Sequence, residues 1–311
     1  MTLAGLLVPL VTPFTADGGL AAGALERLAH EVLDDGATGI VALGTTGEPA
    51  TLTAQERARV VDVCAGVCRE RDAPLLVGVG SNSTAASVEA LAGLDPGSTA
   101  ALTVVPYYTR PSEAGVLAHF GRLAAASPVP LVVYHIPYRT GLALGTDTLL
   151  ALAEMPEVIG LKHAVGAIDE ATIALMSARP ADFAVLAGDD LFAAPLLALG
   201  ASGAIAASAA VHTSSFAALV AAWRTGPVDL ARSLGHRLAV LSAALFAEPN
   251  PAVIKAVLAA QGRIPSAAVR LPLLPASEAA TRAALSALAE FPASGTDNDW
   301  CCGREGATLK R

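Results

Sequence analysis

Charge, aromatic residues and lysine are all scarce in this 311-residue chain. Asp, Glu, Lys and Arg together make up 15% of it, and Phe, Trp and Tyr only 4%. Hydrophobic residues reach 53%, and mean hydropathy is +0.54. That balance excludes intrinsic disorder over most of the chain and suffices for a large core. A basic stripe is also missing. Twenty Lys and Arg stand against 28 Asp and Glu, giving a net charge of −8 and a pI near 5.2. Such a chain is not built to bind nucleic acid or an anionic membrane. The four cysteines form no framework: Cys64 and Cys68 sit four apart on an expected helix, and Cys301 and Cys302 are adjacent near the end. Neither pair has zinc-ligand spacing with partner histidines. Reduced thiols and a cytoplasmic compartment are the expectation. The first residues, MTLAGLLVPLVTPF, lack the basic segment of a signal peptide.

Residues 191–223 contain no Asp, Glu, Lys or Arg, a length sufficient to span a bilayer. Pro195, Gly200, Gly203 and Ser202, Ser208, Ser214 and Ser215 interrupt them. A buried helix, strand and helix in succession are expected there instead.

What is present is a regular alternation of short apolar runs and longer helical periods. Strands are expected at residues 6–11, 39–43, 75–79, 101–105, 131–134, 158–161, 183–187 and 204–206. Helices between them include residues 20–35, 53–69, 84–94, 112–126, 146–153, 170–177 and 191–199. Thr53 and Glu56 have the spacing of a capping box. Near-continuous apolar strands separated by helices imply parallel pairing with both sheet faces covered. Eight such units close into an α/β fold, the (β/α)8 TIM barrel. An open doubly wound sheet is less suited, since no Gly-rich dinucleotide turn follows the first strand. The barrel is expected over residues 1–224. A C-terminal appendage of three helices (228–246, 251–261 and 277–290) fills 225–292, and a polar, disordered tail covers 293–311.

Sites in such barrels lie at the C-terminal strand ends. There the sequence places Gly44-Thr45-Thr46-Gly47-Glu48, Pro106-Tyr107-Tyr108, Tyr134-His135-Ile136-Pro137-Tyr138-Arg139-Thr140-Gly141, Leu161-Lys162-His163 and Gly188-Asp189-Asp190. All four tyrosines fall at or beside this rim. Lys162 is the only lysine before Lys255, and the third is Lys310. A lysine ending an apolar strand is costly as a cation. Desolvation favours the neutral amine, the form that attacks a carbonyl. A lysine merely extending its stem to the barrel mouth is the plainer reading of the same position.

Taken in order and spacing, these segments, with Pro106-Tyr107-Tyr108-Thr109-Arg110-Pro111-Ser112, Gly160-Leu161-Lys162 and Glu248-Pro249-Asn250-Pro251, resemble the dihydrodipicolinate synthase / N-acetylneuraminate lyase family over about residues 3–290. The resemblance implies class I aldolase chemistry: Lys162 forms a Schiff base with pyruvate, and Tyr134 is the general acid/base. Thr45 and Tyr108 complete a proton relay, with Tyr108 reaching in from a neighbouring subunit of a homotetramer or homodimer. Thr46 holds the pyruvate carboxylate, and Gly188 and Ile205 belong to the substrate site. No metal or organic cofactor is implied. Arg139 matches the arginine that, in the synthase branch, binds the carboxylate of L-aspartate 4-semialdehyde. A guanidinium fork suits that task. The implied reaction is condensation of pyruvate with this aldehyde to 4-hydroxy-tetrahydrodipicolinate, in lysine biosynthesis. His135 and His163 depart from the usual Asn and Glu of the synthases. As groups able to titrate near neutral pH, they are expected beside the chemistry as specificity residues. They keep open an alternative, a paralogous aldolase or lyase for another aldehyde acid or a 2-keto-3-deoxy sugar acid.

Overall fold

Each short apolar run pairs as a strand because both of its faces find cover, and each longer period folds as a helix laid over the sheet. The computed structural model describes residues 3–291. In chain order the elements are β1 Gly5–Pro9, α1 Ala22–Asp34, β2 Gly39–Ala42, α2 Ala54–Glu70, β3 Leu75–Gly78, α3 Thr84–Ala92, β4 Ala100–Val104, α4 Glu113–Ala124, β5 Leu131–His135, the single turn α5 Pro137–Thr140, α6 Thr146–Ala153, β6 Val158–His163, α7 Glu170–Ala178, β7 Ala184–Ala187, α8 Ala193–Ala198, β8 Gly203–Ile205, α9 Thr213–Thr225, α10 Val228–Leu245, α11 Ala252–Ala260 and α12 Glu278–Leu288. One-turn 3-10 segments at Thr45–Gly47, Pro49–Thr51, Asp190–Phe192 and Ser208–Ala210 shape the loops after β2, β7 and β8.

All strands are parallel to their neighbours, and β8 pairs with β1 to close the barrel. This is the (β/α)8 architecture that the alternation implies. Closure presses two backbones together: a Cβ at Gly203 would stand 1.9 Å from the Gly5 carbonyl oxygen, so only glycine fits there. Helix starts follow local chemistry. Thr53 Oγ1 accepts the Glu56 N–H at 3.2 Å, while Glu56 Oε2 accepts the Thr53 N–H at 2.8 Å. Ser83, Ser112, Asp169 and Ser277 cap α3, α4, α7 and α12 in the same sense.

The core has two layers, as the period of two along a strand requires. Leu7, Val41, Leu76, Leu102, Val132, Leu186 and Ile205 fill the barrel interior. Leu6, Val8, Ile40, Val77, Leu131, Val133 and Leu161 face the helices. The charge-free stretch is divided among α8, β8 and α9, and no helix of the described residues is long and apolar enough to cross a membrane. Cys64 and Cys68 are free and buried on α2; burial pushes both thiols up, that of Cys68 to about 11. The sixth strand runs past its expected end at 161, because Lys162 and His163 continue the ladder with Tyr134 and His135. The tail 293–311, with Cys301, Cys302 and Lys310, lies outside the described residues.

Candidate active site

Alternation along β5 and β6 sends Tyr134 and Lys162 into the barrel. The two are register partners, and Lys162 Nζ lies 4.3 Å from the centre of the Tyr134 ring. Lys162 is only 6% exposed, and no carboxylate lies within ion-pair distance of it among the described residues. Its stem occupies space that Gly188 leaves open. A Cβ at 188 would stand 2.6 Å from Lys162 Cγ. Gly188 follows β7, and Ile205, fully buried, closes β8 in the same interior layer. The amine thus stands on an apolar floor beside one phenol, the setting an imine-forming lysine requires.

Above this floor, the Thr45–Gly47 turn brings up Thr45, half-buried, and Thr46, buried. Thr46 Oγ1 accepts from Asn250 Nδ2 at 3.0 Å, and Thr12 Oγ1 donates to the Gly47 carbonyl at 2.7 Å. Glu48 then turns into the left-handed region, at φ 52°, and sends its carboxylate inward. Oε1 accepts from Lys255 Nζ at 2.7 Å, and Oε2 accepts the Arg270 N–H at 3.0 Å. Lys255 is fully buried on α11, donates also to the Thr12 carbonyl at 2.9 Å, and stands 4.0 Å from the centre of the Phe14 ring. The Arg270 guanidinium lies 4.3 Å from the same ring and pairs with Glu56. Sequence reasoning left Asn250, Lys255 and Arg270 without a role. The available signal was Lys255 itself, the one charge in the otherwise apolar α11.

Two rim loops are tied together. Arg110 Nε donates to the Gly141 carbonyl at 2.8 Å, and Glu113 Oε2 accepts the Gly145 N–H at 3.0 Å. Just ahead of the tied residues in their two loops stand Tyr107, Tyr108, Tyr138 and Arg139. Tyr108 has φ 69° and is 87% exposed, so within one chain its phenol faces solvent and does not join Tyr134 and Thr45. Arg139, on α5, is exposed and has no acidic partner among the described residues. After β7, Asp190 is buried and accepts the Ser208 N–H at 2.6 Å. Burial raises the carboxyl pKa of both Asp189 and Asp190.

His135 and His163 are the correction. Each directly follows an interior residue on its strand, so each points the other way, into the helix layer. His135 Nε2 accepts the Leu144 N–H at 3.1 Å, and His163 Nε2 meets Thr172 Oγ1 at 2.9 Å. Burial pushes His135 down to about 3, with the neighbouring His163 adding to it, and pushes His163 down to about 4. Neither ring lines the pocket, and neither is poised to titrate near neutral pH.

This arrangement has close counterparts. The model of the Dihydrodipicolinate synthetase family matches residues 2–290. A 4-hydroxy-tetrahydrodipicolinate synthase of Moorella thermoacetica is 40% identical over 286 residues, 92% of this chain and 97% of the relative. That of Neisseria meningitidis serogroup B is 38% identical over 289 residues, 92% and 98% of the two chains. Among solved structures, the dihydrodipicolinate synthase of Thermotoga maritima superposes with a TM-score of 0.89 at 31% identity, covering 93% of this chain and 99% of that one. The chloride-inhibited synthase of Acinetobacter baumannii complexed with pyruvate gives 0.87 at 35% identity, covering 93% and 99%. A closed parallel barrel with a lysine and a tyrosine paired in its interior, and likeness over nearly its whole length, make this chain a member of the dihydrodipicolinate synthetase family.

Proposed function

We propose that this chain is a pyruvate-dependent class I aldolase that condenses pyruvate with L-aspartate 4-semialdehyde to 4-hydroxy-tetrahydrodipicolinate. The observation that carries the reading is Lys162, the one lysine inside the barrel among the described residues, beside the Tyr134 ring. The names of the relatives support it over the length matched. Lys162 Nζ attacks C2 of pyruvate, and the carbonyl oxygen leaves as water once Tyr134 has relayed protons to it. The resulting iminium draws electrons from C3, whose proton is lost to give an enamine. C3 then attacks the aldehyde carbon, forming the C–C bond, and the new alkoxide takes up a proton. The amino group of the acceptor displaces Lys162 from C2, closing the ring and returning the free amine.

Thr46, held by Asn250, receives the pyruvate carboxylate, with Gly188 and Ile205 bounding the site. Arg139 binds the carboxylate of the aldehyde. Thr45 and Tyr108 extend the proton relay of Tyr134, and the exposure of Tyr108 fits a phenol that serves the site of a second copy. The alternative acceptors rested on His135 and His163, which face the helices and so give no ground for a different pocket.

Incubation with pyruvate and borohydride tests the reading. One reduced pyruvate adduct is expected at Lys162, and none in Lys162→Ala. Labelling at Lys255 instead, or no labelling, sinks the assignment. A coupled assay with a panel of aldehydes identifies the acceptor.

A further inference from the structure

Behind the reacting pair, on the helix side of β5 and β6, His135 and His163 are themselves register partners, with ring centres 5.6 Å apart. Their bonds dictate where each proton sits. His135 Nε2 accepts the Leu144 N–H, so in the neutral ring the proton is on Nδ1. His163 Nε2 meets the Thr172 hydroxyl, whose single proton goes to Asp169 Oδ1 at 2.7 Å, since an ionised carboxylate only accepts. That hydroxyl therefore accepts from His163, whose proton is on Nε2 and whose Nδ1 is bare. Asp169 is fixed in turn by the Thr172 N–H at 2.8 Å, at the start of α7.

Two ring nitrogens remain, and they are complementary: a donor, His135 Nδ1–H, and an acceptor, His163 Nδ1. Both are buried, and neither meets a hydrogen-bonding atom of the protein among the described residues. Buried polar atoms in proteins are paired as a rule, and water serves where protein does not. The complementary partner for such a pair is a single water, which would accept a hydrogen bond from the first ring and donate one to the second. Burial keeps both rings neutral at pH 7, as that pattern requires.

We propose that a buried water joins His135 to His163, and that the directed chain from Leu144 N–H through both rings and Thr172 to Asp169 makes them positioning residues for Tyr134 and Lys162. The proposal rests on the roles given to Lys162 and Tyr134 above. The chain straps β5 to β6 one residue away from the reacting pair and ties both strands to α7. Slackening it lets Nζ shift relative to the phenol, and a misplacement of about 1 Å costs on the order of 100-fold in rate.

The full-length protein, labelled with 15N-histidine and studied at pH 7, reads the chain directly. His135→Gln and His163→Gln assign the two rings by loss of signal. The expected result is Nδ1–H at His135 and Nε2–H at His163; the opposite tautomer at either, or a cationic ring, overturns the chain. In the kinetic arm, His163→Leu and Thr172→Val are expected to lower kcat roughly 10- to 100-fold with the pyruvate KM little changed. His163→Gln keeps a donor and an acceptor and is expected to recover most of kcat. Parental kcat in both disrupting variants refutes the positioning role. The near-isosteric Thr172→Val carries this arm if His163→Leu does not fold. The tautomers do not depend on the aldol reaction, so failure of the chain is distinguishable from failure at Lys162, which the borohydride experiment reads.

Discussion

Tyr134 and His135 are sequence neighbours with opposite surroundings, and so are Lys162 and His163. Lys162 and Tyr134, the residues proposed to react, stood out in the sequence because lysine and tyrosine are rare there and these two fall at strand ends. The outward direction of His135 and His163 was not legible, because a period of two gives a face only when the strand's end is known, and the sixth strand runs two residues past its expected end. The outward rings have a measurable consequence. In the unfolded chain each takes a proton near pH 6.5, but in the fold only at about 3 for His135 and about 4 for His163. Their contribution to stability is therefore complete above about pH 6.5 and falls away as pH drops toward those values, by about 1.4 kcal/mol per ring per pH unit. The melting temperature of the parent is expected to fall more steeply between pH 7 and 4.5 than that of His135→Gln/His163→Gln; parallel curves contradict this. At the exposed rim the scale of effect differs. Arg139→Ala is expected to lower kcat/KM for L-aspartate 4-semialdehyde by about 30- to several-thousand-fold, the loss of a charged hydrogen-bonded partner at roughly 2–5 kcal/mol. Imine formation with pyruvate is expected to be unchanged. An unaltered kcat/KM makes Arg139 the wrong clamp.

The elements themselves were easier to anticipate than their partnerships. Eight apolar runs, the Thr53–Glu56 capping box and the three C-terminal helices follow from local pattern. The ion pair between Glu48 and Lys255 spans 207 residues, and no local pattern encodes it. It joins α11 to the loop that carries Thr45 and Thr46. With Asn250 on Thr46 and Arg270 on Glu56, it makes the appendage part of the barrel's upper face rather than an ornament on its side. Removing one partner of a buried pair strands the other charge, at about 3–5 kcal/mol. Lys255→Met is thus expected to lower the denaturant midpoint strongly and to raise the pyruvate KM, since the Thr46 turn loses its anchor. Adding Glu48→Gln removes the stranded charge and is expected to recover much of the stability. A double variant no more stable than Lys255→Met would mean that packing around Phe14, not charge, sets the loss.

At the scale of the molecule, one chain leaves the proposed proton relay unfinished. Tyr134 and Lys162 are buried together, whereas the Tyr108 phenol projects into solvent from a backbone held at φ 69° and a loop braced by Arg110 and Glu113. A large aromatic side chain fixed in an exposed position gains its burial only by meeting another surface, which under the proposed reading is the site of a second copy. This geometry yields a test by mixing. Lys162→Ala supplies a good Tyr108 but no nucleophile, and Tyr108→Phe supplies the nucleophile without the relay hydroxyl. If Tyr108 serves a neighbouring copy, the two variants dissociated and reassembled together regain activity that neither has alone, because mixed assemblies contain sites with the lysine of one chain and the tyrosine of the other. If Tyr108 folds back into its own barrel, every mixed site still lacks one of the two groups, and the mixture stays as weak as its parts. Diluting the parent enzyme until it dissociates is expected to lower kcat under the first arrangement and to leave it unchanged under the second.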